Sequence, residues 1–389
     1  MIKARSTSSS SAQILVASML VTFVLGSVHA FSVFLAPLEA QLGLPRSQIS
    51  LIYSFALVSI TLSVTLGYRI YALLPPWWLV VATGSVAAMG LLLAAAATNW
   101  WMLFAGYSLA FGVSNGIGYG FCLQLVGRAM PARKGFAMGA VTAAYAVGSI
   151  MFAKIIAWRI DDDSVSAAFL AVSVTLLVIV VLAALLMRHA QARYATSAAS
   201  GGDAQLDRRS LLQYWLAYLT SVFAGLMAIG HAAGIAQSRG ADVELATATA
   251  MTVGIGSALG GFVAGWLVDR WPLTRFLVAL PLLSSLALLC ISATTNAQAT
   301  MLLLGIVGFA YGSIIAIYPV AISNGFGEQG PRAYGRVFIA WGFAGLVAPW
   351  SAGVIYDSYA GYEPAMLIAA LVALVSAVSA GFFRLGKVT

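Results

Sequence analysis

Ionisable side chains are scarce inside the long apolar runs of this chain, and that scarcity singles out His29 in "GSVHAFSVFLAPL", His231 in "GLMAIGHAAGIA" and Lys154 in "IMFAKIIAWR". A titratable group in such a run is expensive to place in hydrocarbon, so it reads first as functional. An imidazole there can hold a carboxylate by hydrogen bonding or carry a proton near neutral pH; the alternative is a structural imidazole bonded within the protein. Lys154 lies near the end of its run, where a long stem lets the ammonium reach the interface. No Asp or Glu lies deep in a run: Glu39, Asp161, Asp162, Asp163, Asp242, Glu244, Asp357 and Glu363 all fall at run ends or between runs. A carboxylate proton relay is therefore not expected. A second set of candidates is polar and aromatic: Tyr119, Tyr145, Tyr311, Tyr318 and Trp341, set among glycines and alanines that allow close backbone approach and leave the ring as the bulk facing a cavity. Rings facing lipid favour the interfaces, and these lie several turns inside. Asn115 and Gln124, on the Tyr119 segment, add neutral donors and acceptors that serve equally as substrate contacts or as bonds between helices.

The elements that must position these residues follow from composition. Hydrophobic residues make up 61% of the 389 and charged residues 8%, far from the roughly 25% charged content of a soluble domain. The chain reads as an all-α, multi-pass membrane protein whose surroundings are the lipid bilayer. With about 20 apolar residues needed per crossing, twelve helices are predicted, centred near residues 24, 58, 88, 115, 146, 176, 223, 255, 284, 310, 345 and 373. The first run is longer than a signal-peptide core and lacks a cleavage site, so it is read as a retained helix. One polar stretch, 188–210, is rich in Arg, Ser, Ala and Gly and lacks apolar periodicity; it divides a six-helix half, 1–187, from a second, 211–389.

With the N-terminus placed inside, sixteen of the 20 Lys and Arg residues fall in cytoplasmic segments, and only Arg46, Lys154, Arg159 and Arg239 lie outside. That asymmetry predicts cytoplasmic termini and supports an even number of spans. It also accounts for the net charge of +8 without nucleic acid, since the cations are scattered at run ends. Cys122 and Cys290 sit in apolar runs and give neither a disulfide framework nor metal-ligand spacing. Internal symmetry appears where "ARKGFAMGAVTAAYAVGS" and "PRAYGRVFIAWGFAGLVAP" each follow a basic loop, with Gly135 answering Gly335, Ala140 answering Ala340 and Ala144 answering Ala344. Two six-helix halves related by an axis along the membrane normal are the major facilitator arrangement.

Within "GWLVDRWPLTR", Gly265, Asp269, Arg270 and Arg275 resemble the loop signature of the facilitator superfamily. Gly265 would permit close helix contact, and Asp269 would pair with Arg336 to hold a cytoplasmic gate shut; the alternative is that these cations only mark the inside. The equivalent earlier loop, "GYRIYALLPPWW", carries Tyr71 where the aspartate would stand.

Several segments together resemble the oxalate/formate antiporter branch of that superfamily, kin of the monocarboxylate transporters: "HAFSVFLAPLEAQLGLPRSQIS", "NGIGYGF", "MPARKGFAMG", "GLMAIGHAAGIA", "YGSIIAIYPVAISNGFG" and "YGRVFIAWGFAGL". The resemblance implies transport of small carboxylates through an aromatic site neutralised by basic residues of the eighth and eleventh helices. This chain departs from that pattern. Trp341 stands where a lysine is implied and Gly261 where an arginine is implied. A dianion without fixed positive partners carries a large desolvation cost, so a singly charged or partly apolar carboxylate is the expected cargo. Trp341 would cap its apolar body and lend one N–H.

The expected function is thus secondary or facilitative transport of small organic anions, monocarboxylates first, by alternating access in a bacterial inner membrane. A coupled proton or a counter-anion would accompany it, and the protein would act as a monomer. Export of neutral amphipathic compounds is the alternative that a nearly charge-free aromatic cavity suits as well. A transport-dead sensor would normally need a signalling domain. No phosphate loop, nucleophile–base pair, metal cluster or cofactor loop is legible, so no enzyme, no metal and no cofactor are expected.

Overall fold

Where the sequence offers long runs of Ala, Leu, Val and Ile, the backbone has no partner in hydrocarbon except itself, and helices satisfy it completely. The computed structural model describes residues 2–162, 164–194, 206–268, 270–326 and 329–383, and among them holds helices and no strand. Among the described residues twelve helices are long and apolar enough to cross a membrane: α1 (Ser10–Leu42), α2 (Arg46–Leu66), α3 (Pro76–Ala95), α4 (Trp100–Ala129), α5 (Phe136–Asp161), α6 (Val165–His189), α7 (Arg208–Gln237), α8 (Val243–Leu267), α9 (Leu273–Ala293), α10 (Ala297–Phe326), α11 (Ala333–Tyr359) and α12 (Glu363–Gly381). Each expected centre falls inside one of them. The shortest, α12, has 19 residues, about 28 Å at 1.5 Å per residue, close to the hydrocarbon thickness.

Local chemistry sets the ends. Side-chain oxygens of Asn99, Ser164, Asp207 and Asp242 accept from the first free amides of α4, α6, α7 and α8. Gly43, at φ +63°, turns the chain between α1 and α2. The polar stretch between the sixth and seventh spans is shorter than its composition implies, because Arg188 and His189 still belong to α6 and Arg208–Ser210 already open α7.

Two spans are not regular. Residues Gly26–Phe34 of α1 form a 3₁₀ stretch and Phe104–Phe111 of α4 a π stretch. A nine-residue 3₁₀ segment is long for that geometry and leaves carbonyls poorly served. Side chains of α4 bond one carbonyl in the stretch and one just before it: Tyr107 Oη donates to the Val28 carbonyl at 3.2 Å and Asn115 Nδ2 to the Leu25 carbonyl at 2.7 Å. Tyr107 lies in the π stretch, so one irregularity supplies a bond that the other needs.

By contact the chain forms two compact units, residues 1–28 with 55–198, and 29–54 with 199–389. In the first, α1 packs on α4, α5 and α6, and α3 on α6. In the second, α7 packs on α10, α11 and α12, and α9 on α12. The pairing recurs with a six-helix offset. The second unit also takes the end of α1 and the first turns of α2.

Candidate functional site

In the first unit the polar candidates of α4 and α5 form one connected group. Tyr145 Oη donates to Asn115 Oδ1 at 3.0 Å, while the Asn115 amide holds Leu25. Asn115 is fully buried, so its amide joins three helices. The rings of Tyr119 and Tyr145 lie 4.9 Å apart, and Tyr119 Oη sits 3.4 Å from Thr142 Oγ1. Both tyrosines are only half-buried, unlike the asparagine that anchors them. Gln124 stands apart, lower on α4, where its Oε1 accepts from Tyr194 and where the Arg128 guanidinium lies 4.0 Å over the Tyr194 ring. Lys154 is exposed on α5.

In the second unit Trp341 is buried, lies parallel to Phe338 with centroids 5.5 Å apart, and donates its indole N–H to Tyr311 Oη at 2.9 Å. Tyr311 in turn lies over Gly225 of α7, where any Cβ would overlap its ring. Gly225, Tyr311, Trp341 and Phe338 thus form a continuous stack across α7, α10 and α11. The indole N–H that sequence reasoning left for a ligand is occupied by Tyr311. Tyr318 is buried against Tyr218, centroids 4.4 Å apart. Near the stack, α8 and α10 approach at backbone distance: a Cβ on Gly312 would strike the Ser257 carbonyl. Gly261 is looser, since its built Cβ finds nothing nearer than the Gly312 carbonyl at 3.5 Å, an ordinary contact.

The two histidines differ. His29, in the 3₁₀ stretch, is half-buried with Nδ1 2.8 Å from Tyr53 Oη. His231 is wholly buried and both its nitrogens are engaged: Nε2 lies 2.7 Å from the Pro349 carbonyl and Nδ1 2.9 Å from Tyr362 Oη. A carbonyl can only accept, so Nε2 carries the hydrogen, Nδ1 is the acceptor and Tyr362 donates to it. Tyr362 Oη also accepts from Arg46 Nη1 at 2.9 Å. Arg46 was legible only as a cation outside the membrane; the structure buries it to 5% exposure and pairs it with both oxygens of Glu39. No local sequence signal reveals this, because the partners of Arg46 and His231 lie up to 316 positions away.

Of the gating residues, Asp269 lies outside the described residues, and with it the pairing expected with Arg336. Arg270, Arg275 and Arg336 are exposed, with Arg270 3.8 Å over the Trp266 ring. The close helix contact expected at Gly265 is not made: the residue is exposed and a Cβ there would meet nothing within 4 Å. In the earlier loop Tyr71 is fully buried, its hydroxyl against Gly67 and Gly120, and that hydroxyl has no hydrogen-bond partner among the described residues. Burial raises its pKa above the ordinary tyrosine value.

Comparison with known proteins adds the following. A family model described as Major Facilitator Superfamily matches residues 14–330 and 214–388. The chain is 26% identical over 345 residues to the uncharacterized MFS-type transporter YhjX of Escherichia coli (strain K12), covering 85% of each chain. It is 24% identical over 303 residues to the oxalate:formate antiporter of Oxalobacter formigenes, covering 73% of this chain and 70% of that one. Among solved structures, a bacterial homolog of the human lysosomal transporter Spinster, inward-facing and unoccupied, superposes with a TM-score of 0.74 at 12% identity over 96% of both chains. At that identity the likeness speaks for the fold alone.

Proposed function

Because the chain belongs to the Major Facilitator Superfamily, we propose that it is a secondary or facilitative transporter of small organic anions, taking monocarboxylates in preference to dianions and working by alternating access. In this reading it has two six-helix halves, 1–187 and 211–389, with both termini in the cytoplasm of a bacterial cell and the spans in the inner membrane. A proton or a counter-anion accompanies the cargo. Substrate contacts come from His29, Tyr119 and Tyr145 in one set of helices and from the Trp341 stack in another, with Asn115 holding Tyr145 in place.

The observation that carries the choice of cargo is Trp341. The indole is buried, stacked on the half-buried Phe338 and bonded to Tyr311, so the stack would meet a cargo with an apolar ring and no charge. Where the oxalate:formate antiporter resemblance implies a lysine, this chain therefore supplies shape. With the indole N–H occupied, the carboxylate would be read by tyrosine hydroxyls and His29. The same stack also favours the second reading, export of neutral amphipathic compounds, since nothing in it requires an anion.

Thermal unfolding of the purified protein with mono-, dicarboxylates and neutral hydrophobic compounds separates these. A ligand at 100 times its Kd stabilises the folded state by about 2.7 kcal/mol, a shift of several degrees. Monocarboxylates are expected to raise Tm and oxalate to leave it unchanged. The paired change Gly261→Arg with Trp341→Lys is expected to reverse that order, because a Cβ at Gly261 meets only ordinary contacts and the pair would supply the two cations that the resemblance implies for a dianion. A shift by neutral compounds only would overturn the anion reading.

A further inference from the structure

The loop between α2 and α3 is apolar where a loop in water would be polar. Tyr71 is fully buried and Pro76, which opens α3, is buried, yet residues 72–75 between these two anchors are all exposed. Two of them are leucines, Leu73 at 71% exposure and Leu74 at 42%, and Trp78 in the first turn of α3 is 49% exposed. The Leu73 amide donates to the Ile70 carbonyl at 3.0 Å, so the tip is a formed turn. Trp77 stacks on Trp78 with centroids 4.9 Å apart, and the Arg188 guanidinium lies 5.2 Å over the Trp77 ring. Arg188 is exposed at the end of α6, whose Val180 packs against Gly84 of α3. About one and two turns earlier on α6, Leu185 and Leu182 are half-exposed and carry the apolar surface on.

Charge decides what covers this surface. In residues 1–28 and 55–198, the first compact unit, the only carboxylates are Asp161, Asp162 and Asp163. They precede α6, whose 25 residues hold them about 37 Å from Arg188 at 1.5 Å per residue, several screening lengths of about 8 Å away. Arg128 lies over Tyr194 and Tyr194 beside Tyr71, so cations gather at the Arg188 end of the unit without an acid of their own. We propose that this corner of α3 and α6 binds an anionic phospholipid. Its phosphate pairs with Arg188, its acyl chains lie along Leu182, Leu185 and the Trp78 ring, and the α2–α3 tip sits in the headgroup layer with Leu73 and Leu74 toward the hydrocarbon. A guanidinium can hold a phosphate by two parallel N–H bonds while its face stays on an indole, and tryptophan favours the membrane interface. A zwitterionic lipid offers the same chains but carries its own cation, which the unit does not need.

The test uses the full chain, delipidated in detergent, with phosphatidylglycerol and phosphatidylcholine as probes and bound lipid counted by native mass spectrometry. Phosphatidylglycerol is expected to bind in preference, and Arg188→Gln to weaken its binding about fivefold, the worth of one cation near an anionic surface. Arg208→Gln, which removes another exposed cation at the start of α7, is expected to leave that binding unchanged. Depth is read from a spin label on Leu73→Cys, in a chain with Cys122→Ala and Cys290→Ala, reconstituted in nanodiscs of the two lipids. Oxygen should relax this label more than a water-soluble nickel chelate does. Equal binding of the two lipids, an equal loss in Arg188→Gln and Arg208→Gln, or a label relaxed mainly by nickel would each overturn the site and leave Arg188 as a mark of topology alone. No transported compound is involved, so an error in the proposed cargo leaves this result untouched.

Discussion

At the residue scale, a buried hydroxyl without a partner makes the sharpest stability prediction. Tyr71 keeps its ring against Phe121, 5.6 Å between centroids, while its hydroxyl is unpaired among the described residues. Leaving a polar group buried and unsatisfied costs about 1–3 kcal/mol. Tyr71→Phe should therefore keep or raise Tm, whereas Tyr71→Asp, the residue type of the resembled loop signature, should lower it by burying a carboxyl beside Phe121. Thermal unfolding of the two variants checks this; a loss of Tm in Tyr71→Phe would mean that the hydroxyl has a partner, such as a buried water. The same scale shows what a sequence can and cannot disclose. It names residue types, so His29, His231 and Trp341 stood out against apolar surroundings. It does not name partners: His231 proves to be bonded at both nitrogens to residues 118 and 131 positions away, and the indole of Trp341 to a tyrosine 30 positions away. Arg46 is legible only as a cation outside, because a cation at a helix end is ordinary until its surroundings are seen.

At the scale of elements, helix existence was legible because twenty apolar residues in lipid permit little else, while helix irregularity was not. The 3₁₀ stretch of α1 carries a glycine at its start and small residues along it, which many regular membrane helices share. Its cause lies on α4, in Asn115 and Tyr107. This dependence predicts that Asn115→Leu, which removes the donor to Leu25 and the acceptor for Tyr145, will loosen both α1 and α5. The leucine leaves a buried carbonyl and a hydroxyl to find new partners, at about 1–3 kcal/mol. Hydrogen exchange in detergent is expected to quicken in the amides of residues 26–34 and not in α9, to which Asn115 is not bonded. Unchanged protection in α1 would show that the 3₁₀ geometry is set by packing alone.

At the scale of the whole molecule, the twelve spans and the family were readable because composition and loop charge are summed over the entire chain and tolerate local error. The direction of insertion is a proposal, and the structure sharpens the reasoning behind it. Four cations stood against the positive-inside asymmetry: Arg46, Lys154, Arg159 and Arg239. Two are explained by their partners. Arg46 is paired with Glu39, and Arg239 bonds the carbonyls of Thr294 and Ile291 and lies 3.2 Å from Glu363. Each thus serves a folded-state function that would keep it on the outer side against the topological bias, and each brings a carboxylate with it. The remaining cations at run ends then favour one side still more strongly. Fusion of a fluorescent protein after the last residue should therefore fluoresce in the cytoplasm, and alkaline phosphatase fused after residue 44 or 240, in the turns that follow α1 and α7, should be active. Phosphatase activity from a fusion at residue 130, in the turn after α4, with no fluorescence at the C-terminus, would invert the orientation and place the Arg46–Glu39 pair on the cytoplasmic side.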